Sequence, residues 1–549
     1  MKKTALSILF SAAAICAASA QTVGDAFVLS ENNYEGTART IALGNAVTAL
    51  GGDLGAVTIN PAASAVARYS QITITPGLTM TTSTAQGIPP WENNNDLPYF
   101  QNKMRSSRTA FSLPNLGFTF NWDTGRQRGV KNLSFGFIAN VTNSWNEDVY
   151  AKGTNDMTSY LGAMAFGAGG FSPEQLMDEN AFNNGVPWNA AIGYYTGMIN
   201  HIGNNGYIGA TEVWYDDDSI EVPGTLNQSF GMLKSGSKSD YIFNFGMNIS
   251  DFVYLGASLG ITSASYSYSQ YIKEEAVDYR DFENIMIDDK GNELVSYFDN
   301  MTYKSAYSLS SSGVYGKLGV IVTPVAGLRI GAAVQTPAVN NVKEWFRESG
   351  EIKLAGPDGG NYNESSPDGE NAYTLISPFR ANLGLAYTFG SLGLISADYE
   401  ICNYGSMSYR SASYSDRDYL ADLNNDIRRT YGTAQMLRLG AEVKPIQALA
   451  IRAGYGLATA PEAKEIAATL PLLYEQNISF GLGYSSKGSF FIDLAARCSF
   501  VNDLAVKLYD DYYGSFDNNG NFVPDDRISP SIRIHRMPWK FAMTLGWRF

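Results

Sequence analysis

The chain has 549 residues, of which 17% are charged, and it is rich in glycine (54), tyrosine (34) and phenylalanine (28). Its formal net charge of −14 speaks against nucleic-acid binding, because phosphate groups need a basic partner surface. Length alone would suggest several soluble domains. The low share of charged residues is instead typical of a chain with many lipid-facing positions.

The first 20 residues are predicted to form a signal peptide. Lys2 and Lys3 precede an apolar stretch, and Ala18-Ser19-Ala20 forms a cleavage site before Gln21. No other run approaches the roughly 20 apolar residues that a membrane-spanning helix needs. The exported chain is therefore predicted to be soluble or a membrane β-barrel. Cys402 and Cys498 would remain after cleavage, on opposite faces of separate predicted strands, so no disulfide is expected.

A segment rich in glycine and alanine follows, at residues 39–67. It nearly lacks aromatic residues and is interrupted at Gly44, Gly51-Gly52 and Pro61, which favours short helical turns. A chain with such small side chains can pack tightly inside a cavity. We therefore expect residues 21–68 to form a plug, or hatch, inside a barrel built from residues 69–549.

From Tyr69 onward, segments with alternating apolar and polar residues recur to the end of the chain. Successive side chains of a strand point to opposite faces, so each segment has one apolar face and one polar face. The count is about fourteen, an even number as in single-chain bacterial barrels. The predicted strands are 70–83, 111–122, 131–145, 240–250, 252–268, 303–322, 327–339, 373–389, 392–409, 433–444, 447–458, 476–485, 489–504 and 532–549.

The connections alternate between tight turns and long loops, as periplasmic turns and extracellular loops do in outer-membrane barrels. Tight turns are expected near Ser250-Asp251 and at 323–326, 390–391, 445–446 and 486–488. Long loops are expected at 84–110, 146–239, 273–302, 343–372, 410–432, 459–475 and 505–531. The predicted fold is an all-β, transmembrane antiparallel barrel with a hatch in its lumen and its largest extracellular loop at 146–239.

Several strands carry charged residues only on the face opposite the apolar one. They are Asp398, Glu400, Arg438, Glu442, Arg452, Asp493 and Arg497. An Arg or Lys facing lipid at the membrane centre would cost about 2–4 kcal/mol, so these residues are predicted to face the lumen. The simpler interpretation is that they neutralise one another. The alternative is that Arg438 or Arg452 holds an acidic ligand.

The segment GNAVTALGGDLGAVTINPAASA closes on Asn60-Pro61-Ala62 just before the first predicted strand. With the signal peptide, the strands and the aromatic terminus, it resembles the hatch of the FadL family of outer-membrane transporters. The resemblance implies a fourteen-stranded barrel in the outer membrane that takes up long-chain fatty acids or other hydrophobic molecules passively. It also implies capture by a loop, passage gated by the hatch, and lateral release into outer-membrane lipid. No cofactor or metal is expected.

The resemblance and the residues together suggest where a ligand would bind. The 146–239 loop is unusually apolar, and Ser172-Pro173-Glu174-Gln175 predicts the start of a helix that runs to about Phe182. Either this loop forms a capture groove or it folds on itself and covers the barrel mouth. The candidate ligand-binding residues are Phe166, Phe171, Leu176, Met177, Phe182 and Trp188 in the loop, with Phe27 and Leu29 at the mature N-terminus.

Two further features bear on the route and on assembly. Pro76-Gly77 and Pro114 interrupt the first two predicted strands and suggest either a lateral exit or ordinary bulges. The last strand, Met537 to Phe549, alternates throughout and ends on an aromatic residue. In the family this terminus looks like the signal that the barrel-assembly machinery reads.

Other classes of function find less support in the sequence. An enzyme would have to use His201 or His535, the only histidines, and neither lies in a nucleophile motif. The acidic segments 288–291 and 517–521 do not complete a calcium-binding loop. A FadL-like barrel that docks secreted proteins remains the main alternative. A general porin is the third, disfavoured because a hatch would block free flow.

Overall fold

The computed structural model describes residues 22–89, 99–203, 206–215, 219–287, 293–411, 417–463, 473–486, 489–516 and 522–549. The predicted signal peptide and the acidic segments 288–291 and 517–521 lie outside these ranges.

Fourteen antiparallel strands of the described chain close into one barrel, which confirms the predicted fold class. Each strand pairs with the next, and the last pairs with the first from Ser531↔Ile88 to Arg548↔Gln71. The strands are β1 Gln71–Ile88, β2 Met104–Asp123, β3 Val130–Asn155, β4 Leu226–Ile249, β5 Val253–Ala276, β6 Glu293–Val325, β7 Leu328–Gln335 with Val339–Ala355, β8 Gly369–Ile376 with Arg380–Thr388, β9 Gly393–Asn403 with Ser408–Arg410, β10 Thr433–Ile446, β11 Leu449–Thr459, β12 Leu473–Ser485, β13 Phe490–Val501 with Leu504–Lys507, and β14 Ser531–Arg548.

The outer face of the barrel is apolar in its lower part, where the tight turns lie. Phe118, Leu259 and Leu385 are 49%, 52% and 51% exposed, respectively. Soluble domains seldom leave such side chains in a continuous exposed band, whereas a barrel surrounded by lipid requires one. We call the end with the tight turns the turn end and the opposite end, with the long connections, the cap end.

Two strands run much further than their sequence suggests, which makes the predicted loop 146–239 wrong in its bounds. β3 continues to Asn155 and β4 begins at Leu226, so the connection between them covers residues 156–225. The expected loops 273–302 and 343–372 likewise consist largely of strand. In these extensions the buried face packs on other protein segments and the outer face is polar, so the lipid-type alternation is weak.

The tight turns at Ser250-Asp251 and 390–391 lie where the sequence predicts them, and those predicted at 323–326 and 445–446 lie slightly later, at 326–327 and 447–448. Of the turn predicted at 486–488, residues 487–488 lie outside the described residues. Ser250 and Asp251 both adopt φ of +57°, the left-handed pair of a two-residue hairpin turn. Asp251 also accepts a hydrogen bond from Lys131 at 2.6 Å and pairs with Arg68 at 2.6 Å. These bonds join the β4–β5 turn to β3 and to the end of the hatch segment.

Residues 22–69 lie inside the barrel and form short helices. They are α1 Val23–Ser30, α2 Ala38–Ala42, α3 Leu54–Ile59 and the 3-10 helix Pro61–Ala65. Asn60 caps the last of these, accepting from the Ala62 amide at 3.0 Å, and Pro61 occupies its first position. The Asn60 side chain also donates to the carbonyl oxygens of Thr48 (2.7 Å) and Val320 (3.2 Å). The Asn60-Pro61-Ala62 motif therefore fastens the hatch to strand β6.

Glycines on the wall make room for this motif. A Cβ at Gly319 would lie 1.9 Å from the Asn60 side-chain oxygen, and one at Gly256 would lie 2.2 Å from backbone atoms of Pro61 and Ala62. Side chains at these two positions would push the hatch out of contact.

The connection between β3 and β4 forms a cap over the opposite end. It holds α4 Tyr160–Ala168, α5 Pro173–Leu176, the 3-10 helix Ala181–Asn183, α6 Trp188–Thr196 and two small hairpins, Ile199–Gly203 with Gly206–Gly209 and Val213–Trp214 with Ile220–Glu221. Other long connections contribute the 3-10 helices Tyr279–Asp281 and Tyr404–Ser406, strands Glu283–Ile287, Gly360–Ser365, Asp511–Phe516 and Phe522–Ile528, and α7 Arg417–Thr430. Among the described residues, no helix is both long enough and apolar enough to cross a bilayer.

Candidate functional site

The barrel wall is interrupted between β2 and β3. The two strands pair from Asp123↔Asn132 up to Asn115↔Asn140. Beyond that point the described residues of β2 and β3 share no ladder, and one isolated bridge, Asn102↔Lys152, rejoins them near the cap end. β2 continues to pair with β1, and β3 with β4. We call this interruption the wall break.

The N-terminal segment explains why β3 leaves its neighbour. Its register with β4 shifts between Val141 and Asn143, which marks a bulge at Thr142. The amides of Asn33 and Glu35 donate to the carbonyl oxygens of Thr142 (2.6 Å) and Val141 (3.0 Å). Backbone groups that would otherwise bond β2 thus bond the hatch segment, and the break is built into the fold.

Side chains bridge the break where the ladder is missing. The Arg108 Nε donates to the Asn146 side-chain oxygen at 2.9 Å, and the Asn146 amide donates back to the Arg108 carbonyl oxygen at 3.0 Å. Deeper in the lumen, Glu35 accepts from Lys540 at 2.5 Å and from Ser144 at 2.7 Å. The break is therefore closed by side chains that can rotate, in contrast to a continuous backbone ladder.

The predicted proline interruptions form a second irregularity on the same side of the barrel. The β1–β2 register shifts between Thr75 and Gly77, and a Cβ at Gly77 would lie 2.6 Å from the Pro114 ring. The two prolines therefore meet at one bulge, which lies next to the lower limit of the wall break.

The charged residues predicted to face the lumen are all buried on the inner side, and five of the seven belong to two ion-pair networks. In the first, Glu400 pairs with Arg438 at 2.6 Å and with Arg380 at 2.9 Å. In the second, Arg452 pairs with Glu442 at 2.7 Å and with Asp493 at 2.5 Å. These pairs agree with mutual neutralisation, the simpler of the two interpretations.

The inward charged residues also hold the hatch. Arg39 of α2 pairs with Glu442 at 3.2 Å, and the Thr48 amide donates to Asp398 at 2.7 Å. Arg497 donates to the Tyr34 carbonyl oxygen at 3.1 Å and to the Asn33 side chain at 2.9 Å. The axial path through the lumen is therefore filled and fastened on several sides.

The first helix lies across the lumen on the cap side of the hatch. The Phe27 ring stacks on Tyr431 at 5.2 Å and meets Tyr404 edge-on at 5.0 Å, while Leu29 is buried in the same aromatic cluster. The last carbonyl groups of α1 accept from Lys238 and Arg380, cations that suit a helix C-terminus. Phe27 and Leu29 therefore belong to a packed aromatic cluster on the cap side of the hatch.

The predicted ligand-binding residues of the cap do not form one open groove. Leu176 is fully buried, and Trp188 is buried with its Nε1 donating to the Phe182 carbonyl oxygen at 2.9 Å. Phe171 and Phe182 pack against the same apolar cluster. Phe166 and Met177 alone of the six are exposed, at 42% and 57%. Most of this set forms the core of a cap that covers the mouth.

The helix expected to run from Ser172 to about Phe182 is shorter than predicted. Its capping box forms, with Ser172 and Gln175 bonding reciprocally, but α5 ends at Leu176. A separate 3-10 turn, Ala181–Asn183, follows it. The prediction of the start was right, and that of the length was wrong.

Three carboxylates lie close together at the base of α4. Glu274 accepts from the Tyr160 amide at 2.7 Å, Asp511 accepts from the Ser159 amide at 2.9 Å, and Glu212 accepts from the Gly209 amide at 2.7 Å. Burial raises the pKa of Glu212 to about 7, and burial with the nearby Glu212 charge raises that of Asp511. Among the described residues, no cluster has the arrangement of a metal site.

Several anchoring residues were not singled out from the sequence. Arg380 is the largest fully buried side chain of the described residues, and Glu35, Lys238 and Lys540 bond the N-terminal segment to the wall. Lys540 and Arg380 both occupy inward positions of alternating strands, so the sequence pattern could have identified them as lumen-facing cations. Nothing in the sequence pattern marks Glu35.

Comparison with known proteins gives structural likeness alone. No protein-family model and no curated protein matches the chain. A Pseudomonas aeruginosa FadL homologue is similar at 14% identity and a TM-score of 0.48, covering 94% of this chain and 98% of that one. The toluene transporter TodX of P. putida (12%, 0.47, covering 93% and 98%) and the toluene transporter TbuX of Ralstonia pickettii (12%, 0.43, covering 93% and 98%) are also similar.

Proposed function

We infer that this chain is a passive outer-membrane channel for hydrophobic small molecules, which leave the lumen sideways through the wall break. The observation that carries the proposal is the missing ladder between β2 and β3 next to a lumen that is filled along its axis. A greasy solute crosses a water-filled pore poorly, whereas a side exit would release it directly into hydrocarbon.

The outer surface supports this direction of release. Phe111, on β2 beside the break, is 84% exposed, and the outward residues around it are apolar. A closed wall with an apolar face would explain insertion in a membrane but not the loss of backbone pairing, since unpaired groups facing lipid are costly. The break therefore needs a functional reason.

The state described here is closed, and α1 is the element that would have to move. Its Phe27 ring fills the aromatic cluster between Tyr404 and Tyr431. We propose that an entering ligand displaces Phe27 and Leu29 from this cluster. Because α1 continues into Asn33 and Glu35, which bond the β3 bulge, its displacement would loosen the wall break.

Long-chain fatty acids and monoaromatic hydrocarbons are the two ligand classes to test first, the second because similar structures are toluene transporters.

We propose that the terminal strand β14, together with Phe549 that follows it, is the segment read by the barrel-assembly machinery.

The test closes the break covalently. Arg108→Cys with Asn146→Cys would place two thiols across it, to be joined by a short thiol-reactive cross-linker; the native Cys402 and Cys498 are buried. Uptake of labelled fatty acid or toluene into lipid vesicles that contain the barrel should stop on cross-linking. The matched control, Leu116→Cys with Ala139→Cys, joins positions that already pair and should transfer ligand normally.

Continued uptake through the cross-linked break would overturn the lateral route. No uptake of either ligand by the unmodified barrel, with co-purification of one secreted protein, would favour the docking barrel. Rapid flux of small polar solutes would favour the porin.

A further inference from the structure

One sector of the outer face is basic, although the chain as a whole carries a net charge of −14. Three of the basic residues lie on outward positions at the cap ends of strands: Arg533 of β14, Arg105 of β2 and Lys152 of β3. The fourth, Lys103, lies just before β2. The strand register brings them together. Gln86 of β1 pairs with Arg533, its neighbour Thr84 pairs with Arg105, and Asn102 bridges to Lys152.

Within the described part of the chain, these four cations have no ion-pair partner. No carboxylate of the described residues lies within 4.0 Å of any of them, whereas nearby His535 bonds Asp503 at 2.8 Å. Asp148 is an acidic residue on the outward face of β3, four positions before Lys152. On β5 and β6 the outer face carries Ser263, Ser265, Ser310 and Ser312 and, further toward the cap end, Lys304, which pairs with Glu351 at 3.1 Å. The sector at β14, β2 and β3 instead gathers four cations that have no carboxylate partner among the described residues.

An apolar groove of about 620 Å³ lies on the same outer face, toward the turn end. Leu78, Phe111, Phe541 and Met543 line it, and small residues such as Ala495 and Ala542 form its floor. Phe111 lies six positions after Arg105, roughly 20 Å along the strand at about 3.3 Å per residue. The distance from the cations to the apolar groove is therefore about the length of one acyl chain.

We propose that this sector docks a phosphorylated glycolipid of the outer leaflet, of the lipid A class. The proposal rests on the outer-membrane location proposed above. The phosphate groups would lie among Lys103, Arg105, Lys152 and Arg533, because guanidinium and ammonium groups bind phosphate through charge-assisted hydrogen bonds. The acyl chains would run along the wall from the cations and reach the near end of the groove at Phe111.

The location gives the bound lipid a consequence for transport. Arg105 belongs to β2 and Lys152 to β3, so the head group would span the two strands where the isolated bridge rejoins them. A lipid in this position covers the outer mouth of the wall break. The head group would hold the cap ends of β2 and β3 together. The mobile acyl chains could still be displaced by a solute that leaves the lumen.

The test measures lipid binding by the full mature barrel in detergent. Lipid A and chemically dephosphorylated lipid A are added separately, and bound lipid is counted by native mass spectrometry. The variant Lys103→Ser with Arg105→Ser removes two of the cations. Its control, Lys304→Ser with Lys343→Ser, removes two exposed cations from β6 and β7. Heat-modified gel mobility checks that each barrel is folded.

We expect one tightly held lipid A, at least tenfold weaker binding in the Lys103/Arg105 variant, and no change in the control. Dephosphorylated lipid should bind weakly to all three proteins. Equal retention of both lipids, or equal loss in both variants, would overturn the proposal. Displacement of lipid A by inorganic phosphate alone would also overturn it, because the site would then be a free-anion site.

Uptake into vesicles separates this proposal from the proposed function. A barrel that transfers hydrophobic ligand but does not distinguish the two lipids would refute the lipid site and leave the channel standing. A barrel that binds lipid A selectively but transfers no ligand would do the reverse.

Discussion

Asn146 is the side chain on which closure of the wall break depends most, and its removal should open the break. It accepts from the Arg108 Nε at 2.9 Å and donates to the carbonyl oxygens of Arg108 (3.0 Å) and Thr79 (3.4 Å). A hydrogen bond to a charged group contributes about 1.5–3 kcal/mol and a neutral one about 0.5–1.5 kcal/mol. Counting only the two shorter bonds, to the Arg108 Nε and to the Arg108 carbonyl oxygen, Asn146→Ala should cost the closed state roughly 2–4.5 kcal/mol.

At about 1.4 kcal/mol for each factor of ten, the ratio of open to closed breaks would rise on the order of a hundredfold. Where opening limits the rate, initial uptake of labelled ligand into vesicles should rise by a similar factor, up to the limit set by ligand entry. The matched control is Asn140→Ala, which removes a side-chain bond from Asn115 (3.0 Å) between the same two strands where their ladder is intact. An unchanged rate in Asn146→Ala, or an equal rise in both variants, would refute the reasoning.

Three further results are expected. Burial raises the pKa of Glu212 to about 7 in the folded protein. The stability that its buried, protonated carboxyl contributes to the cap is therefore complete below about pH 4.5 and is lost as the pH rises through about 7. The protection factors of amides 160–168, which correct exchange rates for the intrinsic effect of pH, should therefore fall over that range; constant protection factors, or a fall that persists in Glu212→Gln, would count against this assignment. Arg380→Met leaves buried partners unpaired, at about 3–5 kcal/mol, so proteolysis should cut residues 22–31 faster than in the parent; equal cutting would contradict the anchoring role. Trp188→Ala should destabilise the cap by about 3–5 kcal/mol whereas Phe166→Ala should not, as thermal unfolding would show; equal effects would refute the buried core.

The existence of all fourteen strands could be predicted because lipid imposes a strict alternation on the outer face. The last strand shows this well: Phe541 and Met543 face outward, and Ala542 and Thr544 are buried inside. The extensions of β3 and β4 escaped prediction because their inner residues, such as Val149 and Phe230, pack on the cap. Their outer residues meet water, so no apolar face repeats along them.

The candidate site was predictable only in part. The inward charges were identified from alternation, since a charge facing lipid would be expelled, and their pairing follows from proximity in the lumen. The candidate ligand-binding residues of the cap were predicted because they are apolar residues in a long loop. This criterion does not distinguish a binding groove from a buried core, and Trp188 belongs to the core. The wall break depends on backbone bonds from Asn33 and Glu35, which no side-chain pattern records.

The route of the solute is the central claim, and a photoactivatable hydrophobic ligand tests it most directly. The ligand is activated while it passes through the barrel in vesicles, and the labelled residues are identified by mass spectrometry. The lateral route predicts labels on residues 104–114 of β2 and 141–147 of β3. Labels confined to the hatch at residues 44–66, with none at the wall break, would contradict it.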